Sequence, residues 1–253
     1  MGAQKAHGVI LRKYLLRETS YILVVYTREF GKIKGVLKGA RNPAPQFAGN
    51  FEIFSLCQLL FYRRKKTSLD LITQCEALEF YLPARKQIER LTYANYFIEL
   101  IDIICNENDP NRAIFGALVK SLRLLSSGAS PKRTARIFEL KLLEALGLSP
   151  GVQECVGCGR KSETGMSFSV SSGGTLCSGC AVKDPKSFPI SAGTVNFIRR
   201  IQSSSFERTG HIKVSREVGV EIEKLLKAFL EFHVNRQSRS MDFVKHLEKA
   251  GMA

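Results

Sequence analysis

At 253 residues with 44% hydrophobic side chains, the chain is long and apolar enough for two compact domains, or for one carrying an inserted module, and a disordered reading is excluded. No run approaches the roughly 18 apolar residues of a membrane span, and Met1 to His7 lacks the apolar segment of a signal peptide, so a cytoplasmic location is expected. Lys and Arg number 38 against 23 Asp and Glu, a net charge of +15 that raises the local concentration of polyanions and acidic partners.

Residues 1–80 read as β and hold the densest positive charge, 13 basic against 6 acidic side chains. Val9 to Leu16, Tyr21 to Thr27, Lys32 to Lys38, Phe51 to Tyr62 and Leu69 to Leu78 are rich in β-branched and aromatic residues. Turn signals separate them: Arg17–Ser20, Glu29 to Gly31, and Gly39–Asn50 with Pro43, Pro45 and Gly49. Five short strands are too few for a sandwich and suit a small OB-fold barrel. In the third, Ile33 and Leu37 point one way while Lys32, Lys34 and Lys38 point the other. The last two strands predict a hairpin with Arg63, Arg64, Lys65 and Lys66 at its tip, four like charges that repel one another and gain nothing from folding. Together with Lys32, Lys34, Lys38 and Arg41 they are the candidate phosphate contacts, with Tyr14, Tyr21, Tyr26, Phe30 and Tyr62 as candidate stacking faces or core fillers.

After Pro83 the apolar period changes from two to about 3.6. Ile88, Leu91, Ala94, Phe97, Ile98, Ile101 and Ile104 mark one helix, and Ile114, Phe115, Leu118, Val119, Leu122 and Leu125 a second. A third has Ser130 as N-cap, Pro131 at its first position and Gly147 after its last turn. Residues 148–188 break the pattern with Gly, Ser and Cys. Periodicity then returns with Val195, Ile198 and Ile201 and with the run from Val218 to Phe232.

Within the interruption, Cys155-Val156-Gly157-Cys158 and Cys177-Ser178-Gly179-Cys180 have a spacing that lets two thiolate knuckles close around one zinc ion. Gly157 and Gly179 sit where each knuckle turns, and Gly173-Gly174 marks a hairpin between them. A redox dithiol is the competing reading. Four thiolates leave zinc no open position, which makes the ion structural and not catalytic. Cys57, Cys75 and Cys105 are expected to be small buried hydrophobes. No phosphate-binding glycine loop, nucleophile elbow or zinc-protease helix is present, and His7, His211, His233 and His246 stand alone, so no enzyme is expected.

The fold class read from these segments is α+β with several domains. An OB-fold nucleic-acid-binding domain spans 1–80, a helical domain comes in two parts (81–150 and 189–253), and a Cys₄ zinc module (151–188) is inserted between them. This order resembles the bacterial recombination mediator family of RecO proteins. The resemblance is carried by Lys38 to Pro43 running on to Phe47-Ala48-Gly49, by Arg136 to Leu143 ending in Leu146 to Pro150, by Phe168-Ser169 and Gly173 to Cys177, and by Arg236 to Ser240. It implies a protein of the nucleoid that binds single- and double-stranded DNA, anneals complementary strands and, with RecR, helps load RecA onto DNA coated by the single-stranded-DNA-binding protein SSB. It also implies recognition of the acidic SSB tail, for which Lys132, Arg133 and Arg136 are the candidate cations. The residues themselves leave open an RNA-binding protein of the same build, and a basic adaptor for acidic proteins without nucleic-acid function.

Overall fold

Alternating apolar residues close the first five strands into a barrel in the computed structural model of the protein, which describes residues 2–40, 51–64, 68–161, 165–210 and 212–234. The strands are β1 (Gln4–Leu16), β2 (Ser20–Thr27), β3 (Gly31–Leu37), β4 (Leu56–Tyr62) and β5 (Asp70–Glu79). Their order is β1-β2-β3-β5-β4, with β4 pairing back to β1. Only β3 and β5 run parallel; the other neighbours are antiparallel. Ile10, Leu23, Val25, Ile33, Leu37, Leu59, Phe61 and Ile72 fill the interior together with Cys57 and Cys75.

The barrel has a second buried face. Gly8 to Leu11 and Leu23 to Thr27 are buried at every position, so residues on the outside of β1 and β2 are covered as well. The cover comes from α2 (Ile88–Ile104), which packs on β1 and on α3 (Arg112–Ser126). Tyr93, Ala94, Tyr96, Phe97, Ile98, Leu100 and Ile101 are all buried, as expected of a helix packed on two sides. Asn111 caps α3, its side chain accepting from the backbone of Ala113 at 3.0 Å and Ile114 at 3.1 Å. On the same covered face Tyr26 is fully buried, its ring 6.5 Å from that of Phe115.

A short helix, α1 (Leu82–Arg85), leads out of β5. Arg85 donates to the carbonyls of Phe80 and Ile53, both at 2.7 Å, and to Ser55 Oγ at 2.9 Å. Its guanidinium lies 3.9 Å from the centroid of Phe54, a non-glycine residue at φ 53. This arginine is a brace for a left-handed turn, and burial pulls its pKa below the ordinary value.

The second group of helices starts at α4 (Pro131–Ala145), where Ser130 accepts from Arg133 N and Gly147 at φ +74 ends the run. This helix packs on α6 (Ala192–Ser203) and α8 (Arg216–Val234), with Phe138, Leu142, Val195, Ile198, Ile201, Ile222 and Leu226 in the shared core. Between α4 and α6 lie β6 (Ser167–Ser169), β7 (Gly174–Leu176), α5 (Ser178–Ala181) and β8 (Phe188–Pro189), the strands ordered β7-β6-β8. A one-turn helix, α7 (Phe206–Thr209), precedes α8.

The chain divides into two compact units, Met1–Gly128 and Ala129–Gln237. In this grouping α2 and α3 go with the barrel, and α4, α6 and α8 form the second unit. The outer barrel face is apolar and takes α2 and α3 as its cover, whereas α4 finds its core with α6 and α8. Among the described residues, no helix is long and apolar enough to cross a membrane.

One glycine fixes the junction in the first unit. Gly31 opens β3 at φ +68, and a Cβ there would run into the backbone of Asp109. Gly31→Ala is expected to cost about 3 kcal/mol in a denaturant titration. The same change at Gly39, which has φ +70 but open space around it, is expected to cost about 1 kcal/mol.

Candidate nucleic-acid interface and metal centre

The sulfurs of Cys155, Cys158, Cys177 and Cys180 all lie within 4.8 Å of one another. Four thiolates at about 2.3 Å from one ion place their sulfurs about 3.8 Å apart, and Cys158 Sγ is 3.8 Å from Cys177 Sγ. Each pair closes as a tight turn. Cys155 O accepts from Cys158 N at 3.3 Å and Gly159 N at 2.8 Å, and Cys177 O accepts from Cys180 N at 3.0 Å and Ala181 N at 2.9 Å. The two turns are joined by Cys177 N donating to Cys155 Sγ at 3.3 Å.

The electrostatics suit a cation. Burial raises the Cys155 thiol, but the backbone N–H groups of Cys177 and Gly157 outweigh it and bring the group down to about 6. Cys177 is lowered first by the N–H of Cys180. Cys180 is pushed up to about 12 by the facing thiols of Cys158, Cys155 and Cys177. The cluster thus stabilises some thiolates strongly and resists the last one, a conflict that a bound metal ion removes. The four cysteines form a site able to hold a metal ion.

The site is anchored on both sides. Arg199 of α6 donates to the carbonyls of Val152 at 2.8 Å and Gln153 at 3.2 Å, and Gln202 to that of Pro150 at 2.8 Å. Val156 N donates to Thr175 O at 2.9 Å, which ties the first knuckle to β7. Phe168 of β6 packs its ring 5.8 Å from that of Phe229 on α8.

The barrel cations separate into two sets. Lys32 is 9% exposed, and its ammonium donates to Asp102 O at 2.6 Å and Asp102 Oδ1 at 3.2 Å. It is a structural ion pair under α2, so its expected role as a phosphate contact is corrected here. Lys34 lies on the outer face of β3, half exposed, and pairs with Glu107. Arg63 is shared among Asp70, Asn108 and the rings of Phe30 and Phe61. Lys38 and Arg64 are exposed. Arg41, Lys65 and Lys66 lie outside the described residues, as do the 42–49 loop and Arg236 to Ser240.

The aromatic candidates divide the same way. Tyr26 is core, Tyr21 packs 5.4 Å from Phe51, and Phe30 packs 5.4 Å from Phe61. Tyr14 and Tyr62 remain exposed. Next to Tyr14, Arg12 donates to its hydroxyl at 3.3 Å and pairs with Asp102; that hydroxyl contact is the first cause of its raised pKa.

On α4 the candidates again differ in surroundings. Arg136 is buried, bonded to Glu139 at 3.1 Å and facing Glu223 of α8 at 3.9 Å. A guanidinium held in the helix core cannot line an open groove, so this assignment is also corrected. Lys132 is exposed and Arg133 half-buried. A basic concavity that the sequence reading missed lies between α3 and the barrel. Arg28, Arg112, Lys120 and Arg123 surround a pocket of about 400 Å³ with Leu56, Phe115 and Val119 in its wall. Part of it was legible, since positions 112, 120 and 123 fall near one edge of a 3.6-period helix.

Two family models together match nearly the whole chain, recombination protein O N terminal over residues 1–81 and recombination protein O C terminal over residues 85–242. The DNA repair protein RecO of Desulforamulus reducens is 31% identical over 253 residues, covering 100% of this chain and 98% of the relative. That of Symbiobacterium thermophilum is 30% identical, covering 99% and 100%, and that of Roseiflexus sp. is 32% identical, covering 95% and 84%. The chain belongs to the RecO family.

In this RecO-family chain the two knuckle glycines are not equivalent. A Cβ on Gly157 would meet Cys180 Sγ at 3.2 Å and Leu176 Cδ2 at 3.3 Å, whereas Gly179 has open space. Gly157→Ala is expected to weaken metal retention about tenfold in a chelator competition, the size of an outer-shell defect. Gly179→Ala should leave it within about twofold.

Proposed function

We propose that this RecO-family protein is a DNA repair and recombination mediator without catalytic chemistry. It binds single- and double-stranded DNA at the nucleoid, anneals complementary strands and, with RecR, loads RecA onto SSB-coated DNA. The observation that carries the reading is the barrel itself, on which Lys38, Arg64, Tyr14 and Tyr62 are exposed, in a chain matched by both RecO family models. Annealing needs no bond to be made or broken by the protein. Cations screen two polyanions from each other, and exposed rings offer transient stacking while bases find their partners.

The metal on this reading is one zinc ion held by Cys155, Cys158, Cys177 and Cys180, which supplies stability and no reaction chemistry. Its sulfurs join a segment tied to α6 with a sheet that packs on α8, as a cross-link would.

For the acidic tail of SSB, the pocket of Arg28, Arg112, Lys120 and Arg123 is a better seat than α4. Arg28, Arg112 and Lys120 can hold carboxylates, Arg123 being engaged by Glu79, while Phe115 and Val119 receive an apolar side chain. Arg112→Ala with Lys120→Ala is expected to weaken a fluorescent acidic peptide ending in phenylalanine about tenfold, and Lys132→Ala to leave it within about twofold.

The DNA reading is tested by strand annealing on SSB-coated oligonucleotides, with Lys38, Arg64, Lys65 and Arg63 kept or changed together to alanine. Loss of four phosphate contacts flattens the slope of log K against log salt by about 3 on single strands. An unchanged slope in a folded variant overturns the assignment of DNA to these barrel residues.

A further inference from the structure

The connection from α2 to α3 brings carboxylates onto the basic side of the barrel. Glu107 pairs with Lys34, and Asp102, near the end of α2, takes both Arg12 and Lys32. The amide oxygen of Asn108 accepts from Arg63. One short segment thus supplies partners to four cations of the first unit. We propose that Glu107 is an internal competitor for polyanion, occupying Lys34 until a phosphate displaces it. This rests on the DNA-binding reading above and adds a regulation of that same surface.

Two features separate this role from a structural one. The loop is held by its backbone: Asn108 N donates to Lys32 O at 2.9 Å, Glu107 bridges Lys32 in parallel, and Asp109 lies against Gly31. The Glu107 carboxylate is not needed for that docking. The Lys34 and Glu107 side chains are also 41% and 43% exposed, and ion pairs so open contribute little to stability. Such a pair exchanges readily. A phosphate that takes Lys34 must displace the carboxylate and then stand beside its freed negative charge, and both effects lower affinity. Asp102 does not share this freedom, because it neutralises the buried ammonium of Lys32.

The test is anisotropy of a fluorescein-labelled 30-nucleotide oligo-dT, titrated over a range of NaCl concentrations with the full chain. Glu107→Gln is expected to bind about 3- to 10-fold more tightly than the wild type at low salt, with a slope of log K against log salt steeper by about one contact. Glu76→Gln makes the same change in net charge at an exposed β5 position outside these pairs, and should gain less than twofold. With Lys34→Ala already present, Glu107→Gln should add no more than Glu76→Gln does. Equal effects of the two glutamines in the wild-type background, or a gain that persists without Lys34, overturn the competitor while leaving the DNA reading intact. A wild type with no oligo-dT affinity at low salt overturns the DNA reading, and the competitor with it.

Discussion

The ammonium of Lys32, buried between the barrel and α2, is the contact on which the first unit depends. A lysine there is tolerable only if its charge is met, and Asp102 meets it twice, with a carboxylate oxygen and with its own carbonyl. Removing the Asp102 carboxylate would strand the Lys32 ammonium in a low-dielectric contact, which costs far more than a surface pair contributes. The pair therefore fixes how far α2 slides along β3. Everything downstream inherits that register: Cys105 against Tyr26, the 105–111 connection against Gly31, and the start of α3. Burial pushes the Cys105 thiol up to about 11, which keeps it neutral in this apolar contact.

The same contact decides which cations face solvent. A strand pattern of period two assigns each lysine to a side of the sheet, but it says nothing of what covers that side. Lys32 and Lys34 were legible as outward, and they are outward. What could not be read locally is that a helix some 70 residues later lies over Lys32, a tertiary fact with no period of its own. A partial signal existed in α2, where Tyr93, Ala94, Tyr96, Phe97 and Ile98 spread apolar side chains around most of the helix and leave only a narrow polar stripe through Asn95, Glu99 and Asp102. Such a helix must be packed on two sides. It belongs next to the barrel as much as next to another helix, which is why the division of the chain falls after Gly128 instead of near residue 80.

Features set by short-range chemistry were legible. The five strands of the first unit, the Ser130-Pro131 start of α4 and the two cysteine knuckles each depend on a few neighbouring residues. The knuckle glycines mark the limit of that reading. Both sit inside a two-residue spacer, yet only Gly157 faces the opposing cysteine, because the two turns meet asymmetrically and the second continues into α5. Arg136 shows the limit on a helix. A basic residue in the first turns of α4 reads as exposed, but Arg136 is buried between Glu139 of its own helix and Glu223 of α8.

These placements give the surface a particular kind of affinity. Its cations are not all waiting for an anion, since Arg12, Lys34 and Arg63 already hold partners from the chain itself. Binding there is an exchange of one ion pair for another, so each single contact with a phosphate gains little net free energy. A small anion finds little advantage in such a surface. A polyanion does, because many near-neutral exchanges release many counterions at once. Contacts that are individually weak also break individually, which on the proposed DNA-binding role would let a strand slide and re-pair without leaving the protein. The proposed strand annealing would need this balance more than tight binding, because the product duplex must form while both strands are still held.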